Sequence, residues 1–295
     1  MTTGPIAFSP GSVTGFFVPS FGPTPSETVS RGLAFCLTSG VTAAIEPSGD
    51  RAVLLNGQPI NLLPVLEVLR ELAPQPVTIH LETPLPLGCG FGVSAAGALS
   101  AAFALNRYFD LGRSRNQLGL IAHTAEVTHQ TGVGDVAAQL CGGIVDRHCL
   151  NGPFDALRMD HVPACPLHYC SFGPLSTRDV LSSTRMAAAL QTAGTSAIEW
   201  LASNFAGATI PSLLERSRQF AEETGLLTNP SVRDAIQAVR AAGGSATMIM
   251  LGHAVLATIP AATAGHSRME TGTAAPGSSE RWIPCQIDPL GTRLI

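Results

Sequence analysis

The chain has 295 residues and a formal charge of −4, and 45% of it is hydrophobic against only 13% charged. This composition excludes a disordered chain and indicates a globular protein with a large core. All 17 Lys and Arg residues are arginines, which excludes every activity that needs a Walker-A, protein-kinase or Schiff-base lysine. The small negative charge gives no electrostatic reason to expect nucleic acid as a partner.

The cysteines and the apolar segments bear on the cellular setting. Seven cysteines, an odd number with no Cys-x-x-Cys pair, favour a reducing compartment and core-filling roles. The first residues lack the basic and apolar segments of a secretory signal, and the most apolar late stretch, 246–259, is too short to span a bilayer. The sequence therefore predicts a cytoplasmic protein with no membrane partner.

The first 72 residues predict a β-rich layer followed by a helix. A strand, a turn at Pro10-Gly11 and a second strand or helix start are expected within 6–18. Residues 19–30 have the composition of a loop, and this loop could cover a site. The other elements expected here are short strands at 32–45 and 52–55 and a helix at 60–72.

The stretch 76–108 carries the strongest functional pattern. Alternating apolar and polar residues at 77–82 predict a strand, and the run of Ala, Leu and Phe that begins at Ser94 predicts a buried helix. Between them, three glycines alternate with other residues over 88–92. The first N–H groups of a helix lack intrahelical partners and lie at the positive end of its dipole. A loop without Cβ atoms at this place therefore predicts a phosphate-binding site.

Two other interpretations of this loop stay open: a tight turn without a ligand, and a dinucleotide-binding loop. The segment 90–95 matches Gly-x-Gly-x-x-Ala between a strand and a helix, and Asp110 follows about twenty residues later. Asp110, however, is expected at the end of the same helix, whereas a ribose would be bound after a second parallel strand. This placement disfavours an NAD-dependent oxidoreductase without removing it.

The remaining chain mixes strands and helices without steady β-α-β alternation, which favours an α+β fold. The turn at 151–153 divides it into predicted domains 1–152 and 153–295. Before the turn we expect a helix at 114–130, a break at 131–135, a helical turn at 136–140 and a strand at 144–148. After it we expect strands at 164–172, 246–251, 254–259 and 281–287, helices at 176–193, 196–205, 212–224 and 231–242, and a surface loop at 261–279.

Two acids, Glu126 and Asp135, are candidates for phosphoryl-transfer chemistry. Glu126 is expected on a helix, and Asp135 follows a Gly-x-Gly break that can direct it into a cleft. Such chemistry uses one carboxylate on magnesium and often another near the attacking hydroxyl. Arg147, at the end of an apolar strand, suits a carboxylate clamp, although its position fits a surface arginine equally well.

His123 and His129 flank Glu126 at a spacing of three residues. Two histidines four residues apart would present both imidazoles on one helix face to a metal, and this spacing differs. We therefore interpret both histidines as solvated or core-edge residues.

Three motifs make the chain resemble the GHMP kinase superfamily of small-molecule kinases. The segment 86–96, PLGCGFGVSAA, corresponds to the central motif P-x-x-x-G-L-G-S-S-A-A, and 9–15, SPGSVTG, corresponds to the N-terminal Pro-Gly motif. Residues 243–246, GGSA, correspond in weakened form to the late glycine-rich motif. Within the superfamily, the N-terminal segment 9–17, SPGSVTGFF, and the segments 131–135 and 142–143 are similar to the archaeal pantoate kinases, which phosphorylate pantoate on the route to coenzyme A.

The resemblance implies an N-terminal lobe like ribosomal protein S5, a ferredoxin-like C-terminal lobe and a site between them. It implies ATP and Mg²⁺ as cofactors and pantoate as the substrate. Ser94 and Glu126 are expected to hold the metal, and with them Asp135 is expected to be catalytic, acting on the substrate hydroxyl. The implied ATP-binding residues are Pro86, Gly88, Cys89, Gly90, Phe91, Gly92, Val93, Ser94 and Ala95, and the implied substrate-binding residues are Gly11, Gly134 and Arg147.

The chain departs from the family pattern in two ways. Val93 replaces the first serine of the usual Ser-Ser pair, so that only Ser94 can offer a hydroxyl to a metal. The lysine that some relatives place near the catalytic aspartate is absent, which leaves open whether Asp135 is a base or mainly an orienting group.

Three alternatives to a pantoate kinase stay open at this point. They are a GHMP kinase that accepts homoserine, mevalonate or shikimate, an NAD-dependent oxidoreductase, and a nucleotide-binding protein without turnover. The apolar helices expected in the C-terminal half could also form the face of a homodimer.

Overall fold

Two β-sheets and the helices packed on them make up the computed structural model, which describes residues 6–175, 184–259 and 281–295. The strands are β1 (Ile6–Ser20), β2 (Val29–Pro47), β3 (Ala52–Leu55), β4 (Gln58–Pro59), β5 (Val77–Glu82), β6 (Ile144–Arg147), β7 (Ala156–Arg158), β8 (Leu167–Pro174), β9 (Ser245–Met248), β10 (Gly252–Thr258), β11 (Ile283–Cys285) and β12 (Arg293–Leu294).

The larger sheet has eight strands. Six follow the order β12-β1-β2-β5-β3-β4, while β6 pairs with both β2 and β7. The smaller sheet has the order β11-β8-β10-β9. We call the larger sheet with its helices the first lobe and the smaller sheet with its helices the second lobe. This arrangement confirms the predicted α+β, two-lobe fold.

The N-terminal strand pair corrects two expectations from the sequence. β1 is one continuous strand along β2, so the turn predicted at Pro10-Gly11 is wrong. The register shifts at this point instead, and shifts again between Thr14 and Phe16. A bulge accommodates proline, whose nitrogen cannot donate to the ladder, without ending the strand. β2 is likewise one strand of 19 residues where a shorter strand was expected.

Four helices belong to the first lobe: α1 (Leu63–Leu72), α2 (Val93–Tyr108), α3 (Arg115–Thr128) and α4 (Asp135–Cys141). All four agree with the predicted helices to within a few residues. α2 is central because its Ala, Gly and Ser residues are small enough for α1, α3, β1 and β2 to pack closely around it. α3 begins at Ser114, whose side chain and that of Gln117 form a reciprocal capping box.

The second lobe contains α5 (Thr184–Asn204), α6 (Ile210–Thr224) and α7 (Pro230–Ala241). α5 is one helix, so the predicted break near residue 195 is wrong. A Cβ at Gly194 would overlap the Val18 side chain and lie 2.6 Å from the carbonyl oxygen of Phe17. Gly194 therefore serves close packing of α5 on β1, and this gain outweighs its low helix propensity.

The division of the chain after residue 152 stays a prediction. β7, just beyond this point, pairs with β6, and the C-terminal β12 pairs with β1, so both strands belong to the larger sheet. The predicted last strand is present as β11. The surface loop predicted at 261–279 and residues 176–183 of a predicted helix lie outside the described residues.

Among the described residues, no helix is both long and apolar enough to cross a membrane.

The lobes meet where the glycine loop between β5 and α2 contacts the turn between β9 and β10. A Cβ at Gly252 would overlap the carbonyl oxygen of Cys89. A Cβ at Gly90 would lie 2.7 Å from the carbonyl oxygen of Met250. Backbone therefore packs directly on backbone here, and the loop and the turn form facing walls of one cleft.

We predict that Gly252→Ala destabilises the protein by about 1–3 kcal/mol, since the added methyl group overpacks a contact made by backbone atoms. The free energy of unfolding in urea measures the effect. Gly49→Ala is the matched control, because nothing lies within 4 Å of a Cβ at that position. Equal stabilities of the two variants would contradict this account of the contact.

Candidate active site

The cleft between the lobes contains a cavity of about 370 Å³. The glycine loop and the start of α2 form one wall, the ends of α3 and α4 form the second, and the β9–β10 turn forms the third. Its lining residues are Thr14, Leu62, Leu87, Gly88, Gly90, Phe91, Gly92, Val93, Ser94, Glu126, His129, Gln130, Thr131, Asp135, Leu175, Met250 and Leu251.

The N-terminus of α2 opens onto this cavity. Gly92 is the N-cap residue, with a φ of 62° that favours glycine, and the first backbone bond of the helix runs from the Ala96 N–H to the Gly92 carbonyl. The N–H groups of residues 93–95 therefore have no intrahelical partner. They lie at the positive end of a helix of 16 residues, which suits an anionic ligand.

The glycines serve this loop differently from the expectation that they leave the backbone uncovered for phosphate. Gly88 and Gly90 have φ values of 77° and 84°, which favour glycine. A Cβ on Gly90 would point at the β9–β10 turn, and one on Gly92 would overlap the Ser12 hydroxyl. The glycines thus allow the tight path of the chain and the approach of neighbouring protein groups.

Ser94 and Glu126 form a hydrogen-bonded pair at the edge of the cavity. The Ser94 hydroxyl donates to Oε1 of Glu126 at 2.6 Å. Glu126 is only 2% exposed. Burial raises its pKa to about 7, and the charge of Asp135 adds to this, while the bond from Ser94 opposes it.

Asp135 lies at the first position of α4, beside the same cavity. Burial raises the pKa of its carboxyl, and the hydrogen bond from Ser12 and the charge of Arg147 oppose this rise. A Cβ at Gly132 would lie 2.9 Å from Oε2 of Glu126 and 3.0 Å from Oδ2 of Asp135. The two carboxylates thus flank one glycine, and the break at 131–135 places Asp135 beside the cavity and close to Glu126.

A smaller cavity of about 30 Å³ adjoins the first and shares Thr14, Asp135 and Leu251 with it. Its other lining residues are Phe17, Pro19, Ser30, Gly132, Val133, Gly134 and Arg147. It lies on the side of Asp135 that faces β1, β2 and β6.

Arg147 is a buried cation in the wall of the smaller cavity. It is 2% exposed, and its Nε and Nη2 have no hydrogen-bond partner among the described residues. Burial lowers its pKa, and the negative charge of Asp135 opposes this. A buried guanidinium with unused donors suits an anionic group of planar shape, such as a carboxylate.

The structure places most of the predicted site residues along the two cavities and four of them along neither. Six loop residues line the larger cavity, and Gly134 and Arg147 line the smaller one. Pro86, Cys89 and Ala95 line neither cavity; Cys89 is buried, with its thiol donating to the Leu87 carbonyl. Gly11 lines neither as well, because its bulge in β1 packs on Leu85 and Phe91.

His123, on α3, and His129, just after its end, contact other protein groups. Nε2 of His123 donates to the Thr28 carbonyl at 2.8 Å, and burial lowers the pKa of His123. His129 Nε2 lies 3.7 Å from Oε2 of Glu67. Within the described ranges there is no group of three His, Cys, Asp or Glu residues that could hold a metal ion.

Sequence reasoning missed Ser12, which donates to Asp135, and Gln139, which donates to Ser12. It also missed Leu251, which lines both cavities. Leu251 has a φ of 63°, rare for a bulky residue. Residues 243–245, which the sequence matched to the late glycine-rich motif, line a separate open depression. The segment that faces the glycine loop is 250–252. The Met-Leu-Gly turn between two apolar strands was the available signal.

Comparisons with known proteins agree with this geometry. The sequence profile of the GHMP kinases N terminal domain matches residues 61–143, which contain the glycine loop, α2 and α3. The pantoate kinase of Methanospirillum hungatei is 32% identical over 259 residues, which cover 85% of this chain and 86% of that protein. The pantoate kinase of Thermococcus kodakarensis is 32% identical over 274 residues, with 86% and 87% covered.

Solved structures give the same result. A phosphotransferase related to the coenzyme A biosynthesis pathway matches with a TM-score of 0.84 and 26% identity, and 98% of each chain is covered. A homoserine kinase from Cytophaga hutchinsonii, at a TM-score of 0.68 and 18% identity, shares the fold over 100% of this chain and 98% of its own.

The fold and the loop are those of the GHMP kinases. Since two relatives at 32% identity cover most of the chain, it belongs to the pantoate kinase family within this class. The oxidoreductase alternative is therefore wrong. The sheet agrees, because the strand after α2 is β6, which pairs with β2 rather than lying parallel beside β5.

Proposed function

We propose that the chain transfers the γ-phosphoryl group of ATP to the primary hydroxyl of pantoate, a step of coenzyme A biosynthesis. The observation that carries the proposal is the buried guanidinium of Arg147, whose Nε and Nη2 have no hydrogen-bond partner among the described residues, in a cavity that Asp135 also lines and that adjoins the larger cavity. Pantoate offers a carboxylate for Arg147 and a hydroxyl for Asp135. The curated relatives of this family are pantoate kinases.

On the nucleotide side, the triphosphate of ATP would bind at the N-terminus of α2. The free N–H groups of residues 93–95 and the helix dipole would hold phosphate oxygens. Without any lysine in the chain, backbone donors carry more of this contact than they do in a P-loop.

Mg²⁺ fits the oxygen groups beside this position. Mg²⁺ prefers oxygen ligands, usually one or two carboxylates together with substrate phosphates. Ser94 and Glu126 supply a hydroxyl and a carboxylate at the edge of the cavity. When bound, the ion would neutralise negative charge on the phosphate oxygens. The proposal assigns Ser94 and Glu126 as the residues that hold it.

On the acceptor side, the pantoate hydroxyl would lie beside Asp135. Its oxygen forms the new bond to the γ-phosphorus while the bond to the ADP oxygen breaks, and its proton passes to the Asp135 carboxylate. Burial raises the pKa of Asp135, which makes the carboxylate a better proton acceptor than an exposed aspartate. Arg147, which lines the smaller cavity together with Asp135, would bind the carboxylate of pantoate and fix its orientation.

The proposal includes a cytoplasmic location and no nucleic acid or membrane partner. A homodimer is also part of it, as an expectation from the apolar helices of the C-terminal half. Size-exclusion chromatography with light scattering measures the oligomeric state.

We predict that Asp135→Asn lowers kcat with pantoate by about 10²- to 10⁴-fold, the usual contribution of a well-placed base, while ATP still binds. Coupled ADP release and a nucleotide-binding titration measure the two effects. Asp110→Asn is the control, since Asp110 is exposed and lies in a turn with a φ of 50° that asparagine tolerates. A kcat of Asp135→Asn within a few-fold of the wild type would contradict the role of Asp135 as the base.

Glu126→Gln should raise the Mg²⁺ concentration for half-maximal ATP binding by about tenfold or more, because the amide keeps the shape and loses the charge. Titration of a fluorescent ATP analogue with Mg²⁺ measures this without turnover. Glu71→Gln, at an exposed position of α1, provides the control. An unchanged titration would take Glu126 out of the metal site.

Gly134→Ala should raise the KM for pantoate at least tenfold, since a Cβ at this position would overlap Nη1 of Arg147 and displace the guanidinium. A charged hydrogen bond contributes about 1.5–3 kcal/mol, which corresponds to a loss of this size. The KM for ATP should change less than about twofold. Gly207→Ala, with nothing within 4 Å of its Cβ, is the control. A KM for pantoate equal to that of the control would contradict the assignment of Arg147.

A further inference from the structure

A series of buried hydrogen bonds links Asp135 to Ser12, Gln139 and the carbonyl of Gly92. Gln139, one turn further along α4, donates from Nε2 to the Ser12 hydroxyl oxygen at 3.0 Å and to the Gly92 carbonyl at 2.9 Å. The Ser12 hydroxyl donates to Oδ1 of Asp135 at 2.7 Å. Ser12 and Gln139 are fully buried, and the series joins β1, α4 and the N-cap of α2.

The Gly92 carbonyl at one end and the Asp135 carboxylate at the other determine which group donates in each of these hydrogen bonds. The Gly92 carbonyl can only accept, so the Gln139 amide must turn its NH₂ group toward it. The second N–H of the same group then meets the Ser12 oxygen. Ser12, which accepts from Gln139, has its own hydroxyl hydrogen left for Asp135.

This orientation leaves the amide oxygen of Gln139, Oε1, buried without a hydrogen-bond partner among the described residues. The reverse orientation would place that oxygen against the Gly92 carbonyl oxygen, where two acceptors repel. The orientation of Gln139 therefore serves its two acceptors, Gly92 and Ser12.

One consequence is that the two oxygens of Asp135 differ. Oδ1 receives the Ser12 hydrogen bond, while Oδ2 lies on the side of Gly132, toward Glu126. A fixed donor on Oδ1 holds the carboxylate in one rotamer and leaves Oδ2 for the acceptor hydroxyl. The protein contains no lysine that could hold the Asp135 carboxylate instead.

We propose that Gln139 and Ser12 are positioning residues that orient Asp135 for phosphoryl transfer and link it to the phosphate-binding loop through the Gly92 carbonyl. The inference rests on the proposed function, because it concerns how Asp135 acts on the acceptor hydroxyl. Gln139 acts on Asp135 through Ser12, and its bond to the Gly92 carbonyl holds the amide in the orientation that this needs.

The test is a double-mutant cycle with Ser12→Ala and Gln139→Met, assayed by ADP release with saturating Mg-ATP and pantoate. Ser12→Ala should lower kcat about 10- to 100-fold, less than the loss of the base itself, with both KM values within about threefold. Gln139→Met, which keeps the side-chain length but cannot donate, should lower kcat similarly. The double variant should lie within about threefold of Ser12→Ala, because Gln139 acts through Ser12.

Ser9→Ala is the matched control for a buried serine on β1. Ser9 is also fully buried and hydrogen-bonds to Thr292, away from both cavities. Its kcat should stay within about twofold of the wild type. Ser12→Cys is a second variant of nearly the same size, whose weak S–H donor should give an intermediate kcat.

Two results would overturn the positioning role. One is a kcat for Ser12→Ala within about threefold of the wild type; the other is losses that multiply in the double variant, as independent sites give. A fall in thermal stability with unchanged kcat would assign the series of bonds to folding alone. Failure of the proposed function is a separate outcome, because wild-type protein that releases no ADP with pantoate fails before any variant is compared.

Discussion

The cleft depends on three glycines that leave room for polar groups. Gly92 leaves the space in which Ser12 and Gln139 approach Asp135, Gly132 lies between the two carboxylates, and Gly134 packs against the guanidinium of Arg147. A single methyl group at any of these positions would displace a charged or hydrogen-bonded group. Side chains from β1, α3, α4 and β6 therefore pack against the backbone of these three glycines. α2, whose N-terminus opens onto the site, carries the small residues Ala95, Ala96 and Gly97 in its first turns.

Burial determines the electrostatics of the same place. It raises the pKa of Glu126 and of Asp135 and lowers that of Arg147, so each group is less stable in its charged form than it is in water. Groups of this kind suit ligands of opposite charge. A cation beside Glu126 and a carboxylate beside Arg147 would both stabilise the charged forms, and the N–H groups at the start of α2 suit the phosphates between them.

Local patterns predicted much of this molecule from sequence. The glycine loop, α2, α3 and the acids Glu126 and Asp135 follow from periodicity, capping and breaks within short windows, and the structure places them together. Contacts between distant segments were not accessible in this way. Ser12 and Gln139 are 127 positions apart and meet only through the fold. Gly194 resembles a helix break in the sequence, but in the structure it allows α5 to pack closely on β1. Pro10-Gly11 resembles a turn, but β1 continues through it with a bulge.

The central claim is that a nucleotide at the α2 N-terminus and pantoate beside Arg147 react through Asp135. The most direct measurement is ADP release by the purified protein with Mg-ATP and, in separate reactions, pantoate, pantothenate, homoserine, mevalonate and shikimate, with the phosphorylated product identified by mass spectrometry. The account predicts ADP and 4-phosphopantoate with pantoate and no acceptor-dependent ADP with the other four. Turnover with homoserine, mevalonate or shikimate in place of pantoate would contradict it, and so would the absence of turnover with all five acceptors.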